Sequence, residues 1–502
     1  MGLYCNSNNF NDNMRLLYEF NQQHLLANYD ELTESERKSL INDINALDLP
    51  VLFNKILPNI IQPTSTSCNF TPFPKSRTLH IQPDVCNLRD MYIYNALQNK
   101  VGCVVLSGGQ GTRLGYSGTK GTFRLSVPSG RTLFDMIIER GIAVGCKDWY
   151  IMTSPMNDQE TKDYFVSKSF YGIGESSFYF FRQGVLPTIS YSSGNGSNKG
   201  SDKGGRPLIN LSSKSSISFS PDGNGGIYPA ILRSGALDHM KTNGVSHLHV
   251  FSIDNPLVIP ADPMFIGYCI STRADCGNKV LWKRDAKEKV GVMCVDTESG
   301  LPQVIEYSDM SDIMKEQMDN DGKLLFGAGN ICNHFYDIRF IESAANMVMN
   351  GDIPYHFAIK NISILDEATG EIKTNNCIKL EAFIFDIFPL SKNMVVMEVV
   401  REEEFAPVKN KDDECPSVKV DDSPKVAVHM ISAMSKGWVI ERGKSILKPE
   451  EFILLSQKLE AMGVLEISPR VCWGRCEGFN KITYEMLERV MHSNDGESIY
   501  LE

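Results

Sequence analysis

A short apolar run, VGCVVLS (101–107), leads directly into GGQGTRLGYSGTKG (108–121), and no other segment limits the fold and the chemistry as sharply. An apolar run of this length, bounded by glycines, reads as a buried strand. The glycines after it, Gly108, Gly109, Gly111 and Gly115, let a strand-to-helix turn approach a ligand closely. They leave backbone N–H groups to bind phosphate or a base edge. Arg113 and Lys120 put two cations in the same loop. The spacing excludes the commoner glycine motifs. A Walker loop sets its lysine after glycine and before serine or threonine, whereas Lys120 lies between Thr119 and Gly121. A dinucleotide fingerprint puts its third glycine where Leu114 stands, which also removes an NAD-dependent oxidoreductase. A nucleotide phosphate site is expected.

That phosphate must be held locally, because the 502-residue chain is acidic overall, with a net charge of −11 and no basic blocks. Such a chain lacks the cationic footprint of a nucleic-acid or anionic-membrane binder. No stretch reaches the 18 or so apolar residues of a membrane span, and MGLYCNSNNF has neither the charge nor the apolar core of a signal peptide. The 13 cysteines form no CxxC unit; Cys472 and Cys476 come nearest, so scattered reduced thiols and a cytoplasmic location are expected.

Organisation changes along the chain. Residues 1–100 read as a mostly helical region that turns irregular, with Thr33 and Glu36 at capping-box spacing and Leu40, Ile44 and Leu47 on one face. From 101 to 408, runs such as WYIMTS (149–154) and HLHVFSI (247–253) alternate with longer mixed segments, which predicts an α/β domain with a parallel sheet and crossover helices. Residues 188–218, rich in Ser, Gly, Asn and Lys, are expected to form a flexible loop within it. A polar stretch at 409–425 opens the final region, 409–502.

Other segments carry chemistry, each with a plain alternative. SPDGNGG (220–226) brings backbone near a ligand, or is simply a glycine-rich turn. Asp254 ends an apolar run, where open α/β sheets bind ligands. A lone carboxylate there suits Mg²⁺ shared with phosphate oxygens, or else caps the next helix. Glu306 and Asn330 end short β-like runs and read equally as surface polar groups. Lys409 begins a charged stretch and reads equally as a solvated loop charge.

GGQGTRLG with its following lysine resembles the nucleotide-sugar pyrophosphorylases. With SVPSGRTLF (126–134), RQGVLP (182–187), SPDGNGG, SIDNPL (252–257), EYS (306–308), FGAGN (326–330), FIFDIF (383–388) and REEEFAPVKN (401–410), it is similar to the eukaryotic UDP-N-acetylglucosamine pyrophosphorylases. The motifs keep their order over 101–410 and fade beyond about 430. The resemblance implies a central Rossmann-like, mixed but mostly parallel sheet of nucleotidyltransferase topology, flanked by the helical N-terminal region and a small α+β C-terminal domain. It implies UTP at Leu106, Ser107, Gly108, Gly109, Gln183, Gly223 and Asp254, the sugar at Asn224, Gly291, Glu306 and Asn330, and catalytic cations at Arg113, Lys120, Lys379 and Lys409. Mg²⁺ (or Mn²⁺) would sit on Asp254. The implied partners are UTP, an N-acetylhexosamine 1-phosphate, the UDP-sugar and pyrophosphate, bound by a monomer or homodimer. Two features depart from the family: Thr119 stands where proline is usual, in a GYSGTK segment reminiscent of broad-specificity UDP-sugar pyrophosphorylases, and the 188–218 segment is long. The rivals are a UDP-glucose or broad UDP-sugar enzyme and a silent nucleotide-sugar sensor.

Arg113→Ala is expected to leave the fold intact and lower the rate at saturating UTP by about 10² to 10³, the loss typical of one preorganised charge-stabilising donor. Parental turnover in that variant would remove Arg113 from the mechanism.

Overall fold

A computed structural model of the chain describes residues 10–61, 70–80, 96, 100–191, 206–366, 369–415, 418, 420–472 and 479–502. It divides into two compact units, one gathering residues 1–67, 183–234 and 342–389, the other 68–182, 235–341 and 390–502. Neither is continuous in sequence. The regions expected at 1–100, 101–408 and 409–502 follow one another along the chain, whereas strand pairing gathers distant segments.

The larger unit is built on a mixed sheet. Its strands lie in the order Thr78–His80, Met394–Glu398, Cys276–Trp282, Ala328–Asp337, His247–Ser252, Val101–Leu106, Asp148–Thr153 and Phe178–Arg182. All neighbours are parallel except Ala328–Asp337, which runs against both of its partners. The apolar run Val101–Leu106 lies mid-sheet and is buried from Gly102 onward, as a strand covered on both faces must be. The helix Leu133–Val144 follows, started by a capping box between Thr132 and Asp135 and ended by Gly145 at φ 103°. Gly141 brings this helix onto the sheet: a Cβ there would lie 2.3 Å from the Trp149 ring. Phe165 anchors the same core, with the rings of Phe134, Phe178 and Phe180 at 5.0, 5.1 and 5.1 Å.

The last region of the chain belongs to this unit and forms a small α+β cluster. Helices Pro424–Ile446, Pro449–Ala461 and Tyr484–Met491 pack on the parallel pair Leu465–Ile467 and Ile499–Leu501 around Val439, Leu455, Leu465 and Leu501. Buried Glu466 fastens it, taking the Ser129 N–H (2.8 Å) and Oγ–H (2.6 Å), while Arg131 stacks over the Tyr500 ring at 4.7 Å.

The smaller unit carries the helical N-terminal region. Helix Glu34–Asn45 has the expected Thr33–Glu36 capping box, and Leu40, Ile44 and Leu47 are buried. Its sheet has the order Ile60–Ile61, Tyr355–Leu365, Ile372–Glu381, Ile189–Tyr191 and Pro207–Ile209. This corrects the expectation of one flexible loop over 188–218. Ile189, Ile209, Leu211 and Ile217 are buried, and strands occupy 189–191, 207–209, 211–213 and 216–217; the polar residues between hid their alternation. The centre of that stretch, 192–205, lies outside the described residues, as do residues 62–69 and 81–83 of the proline-containing segment at 58–83.

The nine cysteines among the described residues form no disulfide with one another. Among the same residues, no helix is long and apolar enough to cross a membrane.

Phe165→Ala removes a fully buried ring from a dense aromatic cluster. It is expected to lower unfolding free energy by about 3–5 kcal/mol, read from denaturant midpoints at unchanged slope.

Candidate active site

The strands Val101–Leu106 and His247–Ser252 are parallel neighbours with Leu106 level with Ser252. They deliver the glycine loop and Asp254 side by side at the carboxyl-end edge of the sheet, where open α/β sheets hold ligands. Ser107 is buried and donates from N–H and Oγ to the Met152 carbonyl (2.9 and 2.8 Å). Asn157 Nδ2 donates to the carbonyls of Ser107 and Gly109 (2.8 and 3.3 Å), tying the loop entry to the next crossover. Gly111 N–H closes the loop on Gly118 O at 3.0 Å, and Gly115 turns the chain at φ 70°. Gly108 is half-buried and Gly109 exposed, and a Cβ on Gly109 would meet nothing within 4 Å. Arg113 is exposed in the turn Thr112–Leu114, whose Leu114 is buried.

Thr119 shows what replaces a stiff ring before Lys120. It is fully buried, and its N–H and Oγ–H both donate to Glu160, at 3.0 and 2.7 Å. Its carbonyl accepts from Thr122 Oγ1 at 2.8 Å. Glu160, 41 residues away, and Asn157 escaped the sequence reading because no local pattern ties either to the loop.

Lys120 reaches Asp254, with Nζ 3.7 Å from Oδ2 and both side chains 16% exposed. Burial pushes the Asp254 carboxyl up, but Lys120 and Lys409 outweigh it and hold the group below its ordinary value. Burial likewise pushes Lys409 down, and Asp254 and Asp422 reverse it, so the ammonium is held charged. Lys409 Nζ lies 3.5 Å from Asp422 Oδ2. Asp254 is not a helix cap: the next helix, Pro263–Ser271, is capped by Asp262, whose side chain accepts from Met264 N–H at 3.1 Å. Cys332, at φ 53°, lies near this pair, and burial together with Asp254 pushes its thiol up to about 12.

Gly291, Glu306 and Asn330 also come together. Asn330 N–H donates to Gly291 O at 2.8 Å, and a Cβ on Gly291 would lie 3.1 Å from Glu306 Oε1. Asn330 Oδ1 accepts from Cys332 N–H at 3.2 Å. Neither Glu306 nor Asn330 is a fully exposed surface group.

Gln183, Gly223, Asn224 and Lys379 belong to the smaller unit. Gln183 is buried. The glycines of PDGNGG are obligatory: Gly223 sits at φ 88°, and a Cβ on it would lie 2.4 Å from the Ala382 carbonyl. Asn224 Oδ1 accepts from Ile384 N–H at 3.0 Å, which leaves its amide NH₂ to offer a ligand. Lys379 Nζ donates to Glu381 at 2.6 Å. Asp222, absent from the sequence reading, packs under this turn, 2.0 Å from where a Gly226 Cβ would stand, and its Oδ1 has no hydrogen-bond partner. Burial raises its carboxyl to about 6 against the pull of Arg233.

A glycine loop, an acid and two lysines at the strand ends of such a sheet are the parts of a nucleotidyltransferase. The chain belongs to the UTP–glucose-1-phosphate uridylyltransferase family, whose sequence model matches residues 58–460. The match runs past residue 430, where the short motifs fade. A Dictyostelium discoideum relative named probable UDP-N-acetylglucosamine pyrophosphorylase is 32% identical over 87% of this chain and 91% of its own. An Arabidopsis thaliana relative, UDP-N-acetylglucosamine diphosphorylase 2, is 34% identical over 90% of this chain and 88% of its own. The crystal structure of the uridine diphosphate N-acetylglucosamine pyrophosphorylase of Trypanosoma brucei superposes with a TM-score of 0.81, covering 98% of each chain at 25% identity.

Asp222 supplies a pH test of the PDGNGG turn. Its carboxyl titrates near 3.8 when unfolded and about 6 when folded. Across that window the folded chain holds a proton the unfolded chain has lost, so its contribution to stability falls as pH rises and is level above it. Asp222→Asn should therefore gain stability relative to the parent between pH 4.5 and pH 7, measured by urea midpoints. A difference that stays constant with pH would remove Asp222 as the titrating group.

Proposed function

We propose that this chain joins UTP and N-acetylglucosamine 1-phosphate to give UDP-N-acetylglucosamine and pyrophosphate. The observation that carries the reading is the cluster of Asp254 between Lys120 and Lys409, beside an open glycine loop at the strand ends. The sugar phosphate is already an anionic nucleophile, so no general base is needed. What the protein must supply is alignment and charge neutralisation as its oxygen attacks the α-phosphorus in line, pyrophosphate leaving opposite. In this reading the backbone from Leu106 to Gly109 holds the nucleotide phosphates, and Arg113 and Lys120 neutralise the triphosphate. Lys409 and Lys379 neutralise the α-phosphate and sugar phosphate. Gln183 and Gly223 take the uracil and ribose, while Asn224, Gly291, Glu306 and Asn330 take the hexosamine.

A divalent cation fits the donor set. Among the described residues no group of three or more His, Cys, Asp or Glu could cage a metal. One ionised carboxylate, Asp254, is the arrangement for Mg²⁺ shared with substrate phosphates rather than enclosed by protein. When bound, such an ion neutralises phosphate charge and stabilises the leaving pyrophosphate. The reading places the reaction in the cytoplasm.

A second reading, a broad UDP-sugar enzyme, draws on Thr119, because a hydrogen-bonded threonine replaces a rigid ring next to Lys120. The two are separated by sugar choice. An acetamido group brings an amide and a methyl, and a site that meets it with polar side chains leaves those groups unpaired when glucose is bound. With a panel of sugar 1-phosphates and UTP, pyrophosphate release should give a kcat/KM at least about 10²-fold higher for N-acetylglucosamine 1-phosphate than for glucose 1-phosphate. Comparable values would favour the broad-specificity reading.

A further inference from the structure

Behind Asp254 and Lys409 lies a charged group that the reaction itself does not use. Lys279, on the strand Cys276–Trp282, is fully buried, and its ammonium donates to Asp262 Oδ2 and Glu404 Oε2, each at 2.5 Å. Both carboxylates are 1% exposed, so the triad buries a net charge of −1. Such triads are seldom the most stable choice, since burying three ions costs more than filling the space with apolar side chains of the same volume. What this triad does hold is position.

Its two acids terminate the two segments that carry the site. Asp262 ends the stretch that leaves the sheet at Ser252 and carries Asp254, before the helix Pro263–Ser271. Glu404 opens the stretch that leads to Lys409. The stretches are laced together between these ends. Asn255 Nδ2 donates to the Glu404 carbonyl (2.7 Å), Ala406 N–H donates to Asn255 Oδ1 (3.0 Å), and Val408 N–H donates to the Asp254 carbonyl (2.8 Å). Buried Arg140 holds the outer turn of the first stretch through the carbonyls of Pro256 and Val258 (2.6 and 3.0 Å). Lys279 is the point at which both stretches are tied to one strand of the sheet.

We propose that Lys279 is a positioning residue, which with Asp262 and Glu404 sets the spacing of Asp254 and Lys409 so that the phosphate and cation site is assembled before substrate arrives. The proposal rests on the assignment of Asp254 and Lys409 to that site. Lys279 touches no substrate. Its loss acts through displacement, and support residues of this kind typically cost 10–100-fold in metal affinity or activity.

The test uses the full-length protein and three measurements: Mn²⁺ binding by electron paramagnetic resonance with UTP present, steady-state kinetics, and thermal melting. Lys279→Met leaves two unpaired buried carboxylates and is expected to lower the melting temperature as well. The double variant Lys279→Met/Glu404→Gln keeps the buried net charge at −1 and should recover most of that stability. It should nevertheless bind Mn²⁺ at least about 10-fold more weakly and lose at least about 10-fold in kcat, with a smaller change in KM for UTP. Parental Mn²⁺ affinity and kcat in the double variant would reduce Lys279 to a purely structural role and overturn the proposal. Should the methionine variants not fold, Glu404→Gln alone decides the matter: Mn²⁺ binding weakened at least about threefold supports the proposal, and parental binding overturns it. Asp254→Asn in the same titration separates the two claims. If it binds Mn²⁺ like the parent, the assignment of Asp254 fails; if it loses binding and the Lys279 variants do not, only the positioning role falls.

Discussion

The parallel pairing of Val101–Leu106 with His247–Ser252 is the constraint from which the candidate site of the larger unit follows. Backbone hydrogen bonds set Leu106 beside Ser252, so the glycine loop and Asp254 leave the sheet at one level. A slip of one residue would move Asp254 by about 3.3 Å along the strand and turn alternate side chains to the other face. Ala328–Asp337 extends the same logic: because it runs antiparallel, its beginning, with Asn330, lies at the edge where the neighbouring strand ends. Parallel strands bring their ends to the ligand, and the one reversed strand brings its start.

Electrostatics then decides what that edge can hold. The chain as a whole is acidic, at −11, yet Lys120 and Lys409 both act on the one carboxylate of Asp254, and Arg113 stands exposed on the glycine loop. Asp254 stays ionised because its two lysines offset the cost of burial, and Lys409 stays charged because Asp254 and Asp422 return the favour. In the proposed function, a polyphosphate approaching this edge would meet charges already in place, the condition under which electrostatic stabilisation is most effective.

The loop is held from several distant parts of the chain. Glu160 takes two hydrogen bonds from Thr119, Asn157 takes the carbonyls of Ser107 and Gly109 in hand, and the C-terminal cluster grips Ser129 through Glu466. Proline stiffens a chain by covalent geometry; Thr119 reaches a comparable restraint through a carboxylate anchored on the helix Asp158–Ser167. The last region of the chain, for which the sequence offered no role, thereby shares in supporting the segment that follows Lys120.

Local chemistry was legible in the residues alone. The apolar run and the glycines after it announced a buried strand leading into a tight loop, Thr33 and Glu36 announced a helix start, and alternating runs announced a mostly parallel sheet, because each depends only on near neighbours in the chain. The strands at 189–191, 207–209, 211–213 and 216–217 were not legible, since a few apolar residues scattered among serines carry too weak a period. Asn157, Glu160, Asp222 and the Lys279–Asp262–Glu404 triad were equally invisible as a support system. A lone Glu or Lys has no spacing signature, and what it does depends on which distant backbone it meets. Residue type and short-range order thus determined where the strand, the glycine loop and its cations lie along the chain. Strand register and long-range pairing decided that Asp254 stands between Lys120 and Lys409, because only the assembled sheet brings residues 120, 254 and 409 within reach of one another's charge.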